Sequence, residues 1–219
     1  MVIRFYMCVL LLLCATQVNA ATKTIGILVY DGVLTSDVTA PLEVFGVASK
    51  LSWFSGYQVQ TIGISDASFI TTEEGLKLGV DVSIDQVGKL DVLIVPSRYE
   101  MGPLLSNPQL IDFIRLQAKE VEWLASNCSG ALLLAEAGVL DGKKATTWAG
   151  GESDFQRQYP KVDVQFDQNM VIDDGILTSN GSVVSYQAAL TLLKNISSVS
   201  KAKEVASTIQ FSRLSLLSF

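Results

Sequence analysis

The chain has 219 residues, 49% of them apolar, with a formal net charge of −6, three cysteines and no histidine. That is enough chain for a single domain with a sizeable core, and its acidic balance argues against nucleic-acid binding, which needs basic patches to neutralise phosphates. With no histidine, no calcium-loop spacing and no Gly-rich loop followed by Lys-Ser/Thr, neither a metal nor a cofactor is expected.

Residues 1–20 have the pattern of an export signal. Arg4 supplies the basic start, "MCVLLLLCA" the apolar run, and "VNA" the residues ahead of a cut between Ala20 and Ala21. The apolar run is short for a membrane span, and no later segment has the length and apolarity of one. The expected product is residues 21–219, one domain without a membrane partner, periplasmic or secreted. Cleavage removes Arg4, Cys8 and Cys14, so the net charge becomes −7 and Cys128 is left as an odd thiol in an oxidising compartment.

"TKTIGILVYDG" predicts a buried strand over Thr24–Tyr30 ending in an Asp-Gly turn. "TSDVTAPLEVFGVASKL" places Val38, Leu42, Phe45 and Ala48 at helical spacing, with Thr35 or Ser36 as cap. Pro41 lies about a turn inside, which predicts a helix starting there. "YQVQTIGI" reads as a second strand, "FITTEEGLKLGVDVSIDQ" as a hairpin or extended excursion, and "LDVLIVP" as a buried strand. "NPQLIDFIRLQAKEV" is an amphipathic helix with Leu110, Phe113, Ile114 and Ala118 on one face. "WLASNCSGALLLAEAG" joins a short strand to a buried helix through Cys128, with Gly138 as the stop. "VDVQFDQNMVIDDGILTS" predicts two strand-like runs joined by an Asp-Asp-Gly turn. "GSVVSYQAALTLLKNI" is a strong helix and "SVSKAKEVASTIQFSRL" a weaker last one.

Strands alternating with helices imply a mostly parallel sheet covered on both faces. Sites in such sheets lie where strands end and helices begin, and Asp37, the loop after Pro96 and Cys128 all fall there. A residue at a tight strand-to-helix turn is exposed at the sheet edge, with backbone N–H groups beside it. Gly130 allows the close turn. The helix N-terminus is expected to stabilise a thiolate at Cys128 and lower its pKa. The blander alternative is a packed, inert cysteine.

"ASNCSGALLLAEAGVLDGKKATTW", "LVYDGVLTSDVTAPLEVFG", "LDVLIVP" and "DDGILTSNGSVVSYQAALTLLKNI" together resemble the ThiJ/PfpI superfamily, the class I glutamine amidotransferase-like fold, over residues 24–195. Within it the resemblance is to the branch holding isonitrile hydratases and the sensor-like domains of AraC-type regulators. The resemblance implies a flavodoxin-like α/β three-layer sandwich with a mostly parallel central sheet and a nucleophile elbow, a homodimer, and a small-molecule ligand or substrate. No helix-turn-helix module is recognised, so no DNA-binding role is expected.

Matching the motifs puts the family's functional carboxylate on Asp37 and its cysteine on Cys128, with Ser129 as the assisting residue after it. Ser129 is equally a helix N-cap. Glu43 recurs in the same motif and would orient the loop or sit at a dimer interface. Two departures stand out. The histidine of amidase- or protease-like relatives is replaced by Trp148 in "ATTWAGG", so histidine-dependent amidotransfer or proteolysis is not expected. The family's Gly-Gly after the central strand is replaced by Ser97 and Arg98, which either narrow the approach or, through Arg98, bind an anion. Trp148 and Tyr99 are expected to wall a small apolar pocket. Three readings remain: hydratase-like chemistry on Cys128 and Asp37, a ligand-binding or sensing site without catalysis, and a redox-responsive protein cycling Cys128.

Overall fold

Strand β1 (Lys23–Val29) is apolar at Ile25, Ile27, Leu28 and Val29, all fully buried, as a strand covered on both faces must be. The computed structural model describes residues 22–52 and 56–216, and the expected export signal lies outside them. The chain continues through helix α1 (Thr35–Lys50), β2 (Tyr57–Gly63), the antiparallel pair β3 (Phe69–Thr71) and β4 (Lys77–Gly79), and the short β5 (Val82–Ser83). Next come β6 (Val92–Val95), α2 (Gly102–Leu105), α3 (Pro108–Glu120), β7 (Trp123–Asn127) and α4 (Gly130–Glu136). The last part holds β8 (Lys144–Ala145), α5 (Glu152–Gln158), β9 (Asp163–Val164), β10 (Met170–Asp173), β11 (Ile176–Ser179), α6 (Val184–Ile196) and α7 (Val199–Thr208).

The main sheet has the order β10-β11-β7-β6-β1-β2-β5 and is parallel except for β10, which pairs antiparallel with β11. From β1 the chain steps one way to β2, and from β6 it steps the other way to β7. Right-handed crossovers then put α1 and α3 on opposite faces. α1 packs with α6 and α7, and α3 packs with α2 and α4, giving three layers. The direction of winding reverses between β1 and β6, the place where open α/β sheets leave a crevice for a site.

Most predicted elements are present. Asn107 caps α3 by accepting from the Leu110 N–H at 3.2 Å, and Leu110, Phe113 and Ile114 are buried on its inner face. Gly138, at φ +74°, follows the end of α4. Asp174 and Gly175, at φ 46° and 74°, form the tight turn of the β10–β11 hairpin.

One expectation is corrected, and two features go beyond what the pattern announced. First, α1 begins at Thr35, not at Pro41, and its cap position is Leu34, without a side-chain cap. The Thr35 hydroxyl lies 2.7 Å from the Thr72 hydroxyl and 2.5 Å from the Glu74 carboxylate. Proline inside a helix leaves the carbonyl four residues earlier without its N–H partner. Here that carbonyl is Asp37 O, and the Asn127 side-chain amide donates to it at 3.4 Å. Second, residues 163–164 do not join the main sheet; they pair in parallel with β8 in a separate two-stranded ribbon. Third, α2 and α5 are helices that the apolar spacing did not announce, because each spans at most two turns.

Candidate functional site

The sheet's parallel strands bring the loops after β1, β6, β7 and β11 to one edge. The register pairs Val95 with Ser126 and Asn127 with Ser179, so the loop carrying Ser97 and the turn carrying Cys128 leave the sheet side by side. Cys128 occupies that turn at φ 50°, a left-handed conformation uncommon for a residue with a side chain and typical of strained functional turns. Its N–H donates to Ser179 O at 2.8 Å, and its own carbonyl accepts from the Thr147 hydroxyl at 3.0 Å. The strain is therefore held from the end of β11 and from the segment after β8.

Gly130 lets the turn close. A Cβ there would lie 2.3 Å from Val95 O and 2.6 Å from Pro96 O, both main-chain atoms. Gly181, at φ +76°, performs the same service from the β11 side: a Cβ there would be 2.6 Å from the Cys128 Cβ and 3.1 Å from Asp37 Oδ1. The backbone at Gly181 thus touches both the cysteine and the carboxylate.

Asp37, in the first turn of α1, is fully buried. Its two oxygens accept four hydrogen bonds. Oδ2 accepts from the Ser97 hydroxyl at 2.5 Å and the Ser97 N–H at 3.2 Å. Oδ1 accepts from the Ser185 hydroxyl at 2.7 Å and the Ser182 N–H at 2.9 Å. These donors favour the anion, but burial outweighs them and holds the carboxyl above the usual carboxylate range. The Tyr30 hydroxyl, donating to Pro96 O at 2.6 Å, is pushed far up by burial and then by the charge of Asp37.

Cys128 is half-buried. Burial first, and the negative charge of Asp37 second, push its thiol above the ordinary value. The Ser129 N–H and the hydroxyls of Ser97 and Ser129 favour the anion but do not prevail. This corrects the expected lowering by the helix end. Desolvation and a like charge both act against the helix end here, and the net direction is upward.

The other expected site residues divide. Ser97 joins the cluster as a fully buried partner of Asp37, not as a group narrowing an open approach. Ser129 sits at the N-cap position of α4 without capping it; its hydroxyl donates to Arg98 O at 2.9 Å and ties the β6 loop to the elbow. The Arg98 side chain turns toward a cavity of about 160 Å³ lined with Tyr30, Asp31, Ile64 and Val80. The Trp148 indole folds onto Gly151, where a Cβ would overlap the ring. Its neighbour Thr147, not Trp148, is the residue bonded to Cys128. Tyr99 is 72% exposed and walls nothing. Glu43 is exposed and accepts from the Tyr186 hydroxyl at 2.7 Å, away from the thiol–carboxyl pair. Sequence reasoning missed Ser182, Ser185, Thr147 and Gly181. The Asn-Gly-Ser run at the end of β11 was the available signal for Gly181 and Ser182.

A parallel α/β sheet with a cysteine on a strained elbow, facing a buried carboxylate from the first helix, defines a class of cysteine-centred α/β proteins. The DJ-1/PfpI family model matches residues 23–195, and the chain belongs to that family. The isonitrile hydratase of Pseudomonas putida is 31% identical over 189 residues, covering 85% of this chain and 78% of the hydratase. The HTH-type transcriptional regulator CdhR of Pseudomonas aeruginosa is 27% identical over 151 residues, covering 68% of this chain and 44% of the regulator. Among solved structures, a THiJ/PfpI family protein from Pseudomonas syringae superposes with a TM-score of 0.78 at 20% identity, covering 88% of this chain and 76% of that one. The mostly parallel, flavodoxin-like architecture is thereby shared with this family.

Proposed function

We propose that this protein hydrates isonitriles or a closely related small electrophile, with Cys128 as the nucleophile and Asp37 as the proton carrier. The observation that carries this reading is the buried Asp37 carboxyl, held by four donors against the same Gly181 backbone that covers Cys128. The likeness to an isonitrile hydratase supports the substrate class.

The chemistry suits a site without histidine. The terminal carbon of an isonitrile is both basic and electrophilic. A thiol can add its sulfur and its proton to that one carbon, giving a thioimidate, with the proton passing by way of Asp37. Water then adds its oxygen to the carbon and its proton to the nitrogen. Expulsion of the sulfur, which regains a proton, leaves an N-substituted formamide. Substrate, water and enzyme balance, and no electron is exchanged. A thiol held above its ordinary pKa is compatible with this sequence, because the proton is needed at the reacting carbon. Ser129 contributes its N–H beside the sulfur. The same reading carries export of residues 21–219 to a periplasmic or secreted location and assembly as a homodimer.

The test is conversion of a simple alkyl isonitrile to its formamide, followed by the appearance of the formyl proton in NMR spectra. Cys128→Ser is expected to lower the rate by about 100-fold or more, the scale of losing an activated nucleophile. Turnover by Cys128→Ser at the wild-type rate would end the proposal. A second reading, a binding site without catalysis, is favoured by the raised thiol and by a sequence without histidine. It predicts ligand-induced thermal stabilisation with no formamide formed.

A further inference from the structure

The hydroxyl of Ser97 bonds Asp37 and is also one of the two hydroxyls that favour the Cys128 thiolate. Ser97 is fully buried, its Oγ lies 2.5 Å from Asp37 Oδ2, and its N–H donates to the same oxygen at 3.2 Å. The β6–β7 register runs Val95 opposite Ser126, which carries Ser97 alongside Cys128. The opposite oxygen, Oδ1, is held from α6 by Ser185 and Ser182.

A serine hydroxyl has one hydrogen and can give it to one acceptor at a time. With Asp37 ionised, the hydroxyl donates to Oδ2, as its short contact records. With the proton on Oδ2, Asp37 instead donates to Ser97 Oγ, and the serine hydrogen is released toward the sulfur. The Ser97 N–H stays on Oδ2 in both states because it is main chain. We propose that Ser97 is a positioning residue that couples the protonation of Asp37 to that of Cys128 by turning a single hydrogen between them. In the transfer, the S–H bond breaks and the thiol proton goes to Ser97 Oγ. The Ser97 proton passes to Asp37 Oδ2, leaving a thiolate and a neutral carboxyl. The charge moves from one buried group to the other without a net change in the site.

The other titratable groups facing this cluster are few. Tyr30, at the end of β1, donates to Pro96 O, and Arg98, on the β6 loop, turns its side chain to the neighbouring cavity. The Thr146–Trp148 loop and the Ser179–Ser185 segment contribute hydroxyls, amides and an indole but no ionisable group. Thiolate formation at Cys128 is therefore governed mainly by Asp37 and by whichever donors reach the sulfur.

This inference rests on the cysteine-centred reading of the site but not on hydration, so its test needs no substrate. The rate of Cys128 alkylation by iodoacetamide is measured against pH in residues 21–219, for wild type, Ser97→Ala and Ser185→Ala. Each substitution removes one hydroxyl donor from Asp37. Ser185→Ala weakens only the Asp37 anion, reduces the negative charge facing the thiol, and leaves alkylation at pH 7 unchanged or faster. Ser97→Ala also removes the hydrogen that reaches the sulfur, and alkylation at pH 7 is expected to slow about tenfold, a shift of about one unit in the inflection. Ser97→Gly removes the same hydroxyl, keeps the N–H on Asp37 and repeats the test should the alanine variant fold poorly. A slowed Ser97 variant beside a Ser185 variant that is unchanged or faster supports the coupling. Equal shifts of the same sign reduce Ser97 to one more donor on Asp37 and overturn it, whether or not isonitriles are turned over.

Discussion

Gly130→Ala is expected to destabilise the protein by about 3 kcal/mol or more, toward the upper end of single core substitutions. The added methyl meets two main-chain oxygens, Val95 O and Pro96 O, at 2.3 and 2.6 Å. No rotamer change relieves a clash with backbone, so β6 and the elbow must part. Parting them also disturbs the Ser129 hydroxyl bond to Arg98 O and moves Ser97 relative to Cys128. Urea unfolding read by tryptophan fluorescence gives the change. Gly46→Ala is the matched control. It lies inside α1 with nothing within 4 Å of its added Cβ, and helix propensity alone predicts a gain of about 0.5–1 kcal/mol. A Gly130→Ala variant as stable as wild type would mean that the elbow is not held against β6 in this way.

The second large effect belongs to Asp37→Asn, and it depends on pH. An amide offers one oxygen where the carboxyl offers two, and its NH₂ must face either the Ser97 N–H or the Ser182 N–H. A displaced buried N–H costs about 1–3 kcal/mol. The sign with pH follows from burial raising the Asp37 pKa above its unfolded value. The folded state then binds the proton more tightly, so the stabilisation from Asp37 is complete below the unfolded value of about 3.9. It is lost as pH rises through the higher folded value. The advantage of wild type over Asp37→Asn is therefore largest in acid and shrinks toward neutral pH. Denaturant titrations of both proteins from about pH 3.5 to 7.5 measure it. An advantage that grows with pH would mean that the four donors outweigh burial and that Asp37 sits below the ordinary carboxylate range.

The pair Cys128 and Asp37 is legible in the sequence because both residues sit at the ends of strongly patterned elements. An apolar strand runs into Cys128 and an apolar helix leaves it; a buried strand and an Asp-Gly turn lead to Asp37. Their partners are not legible. Ser97, Ser182 and Ser185 reach Asp37 across sequence separations of 60 to 148 residues, and serine carries no periodic mark of burial. Their role is set by strand register alone.

The misplaced features also have physical reasons. Pro41 signals a helix start only if the carbonyl it strands is left to solvent, whereas Asn127 supplies the missing donor from 90 residues away. Trp148 does not wall a pocket because Gly151 leaves room for the indole to fold back on its own loop. A helix end favours a low thiol pKa, and a carboxylate anion beside the thiol opposes it. The fold adds burial to the Asp37 charge, and both push the thiol upward. Arg98 is near the site in sequence and in backbone, but its side chain leaves for the cavity beside Tyr30.

The account's central claim is that Cys128 and Asp37 form one electrostatically coupled unit inside the fold. The most direct measurement is the pH dependence of Cys128 alkylation in native wild type, native Asp37→Asn and the urea-denatured chain. The account predicts that the native wild-type inflection lies above that of the denatured chain and that Asp37→Asn brings it down. A native inflection below the denatured one, or one that Asp37→Asn leaves in place, would contradict it.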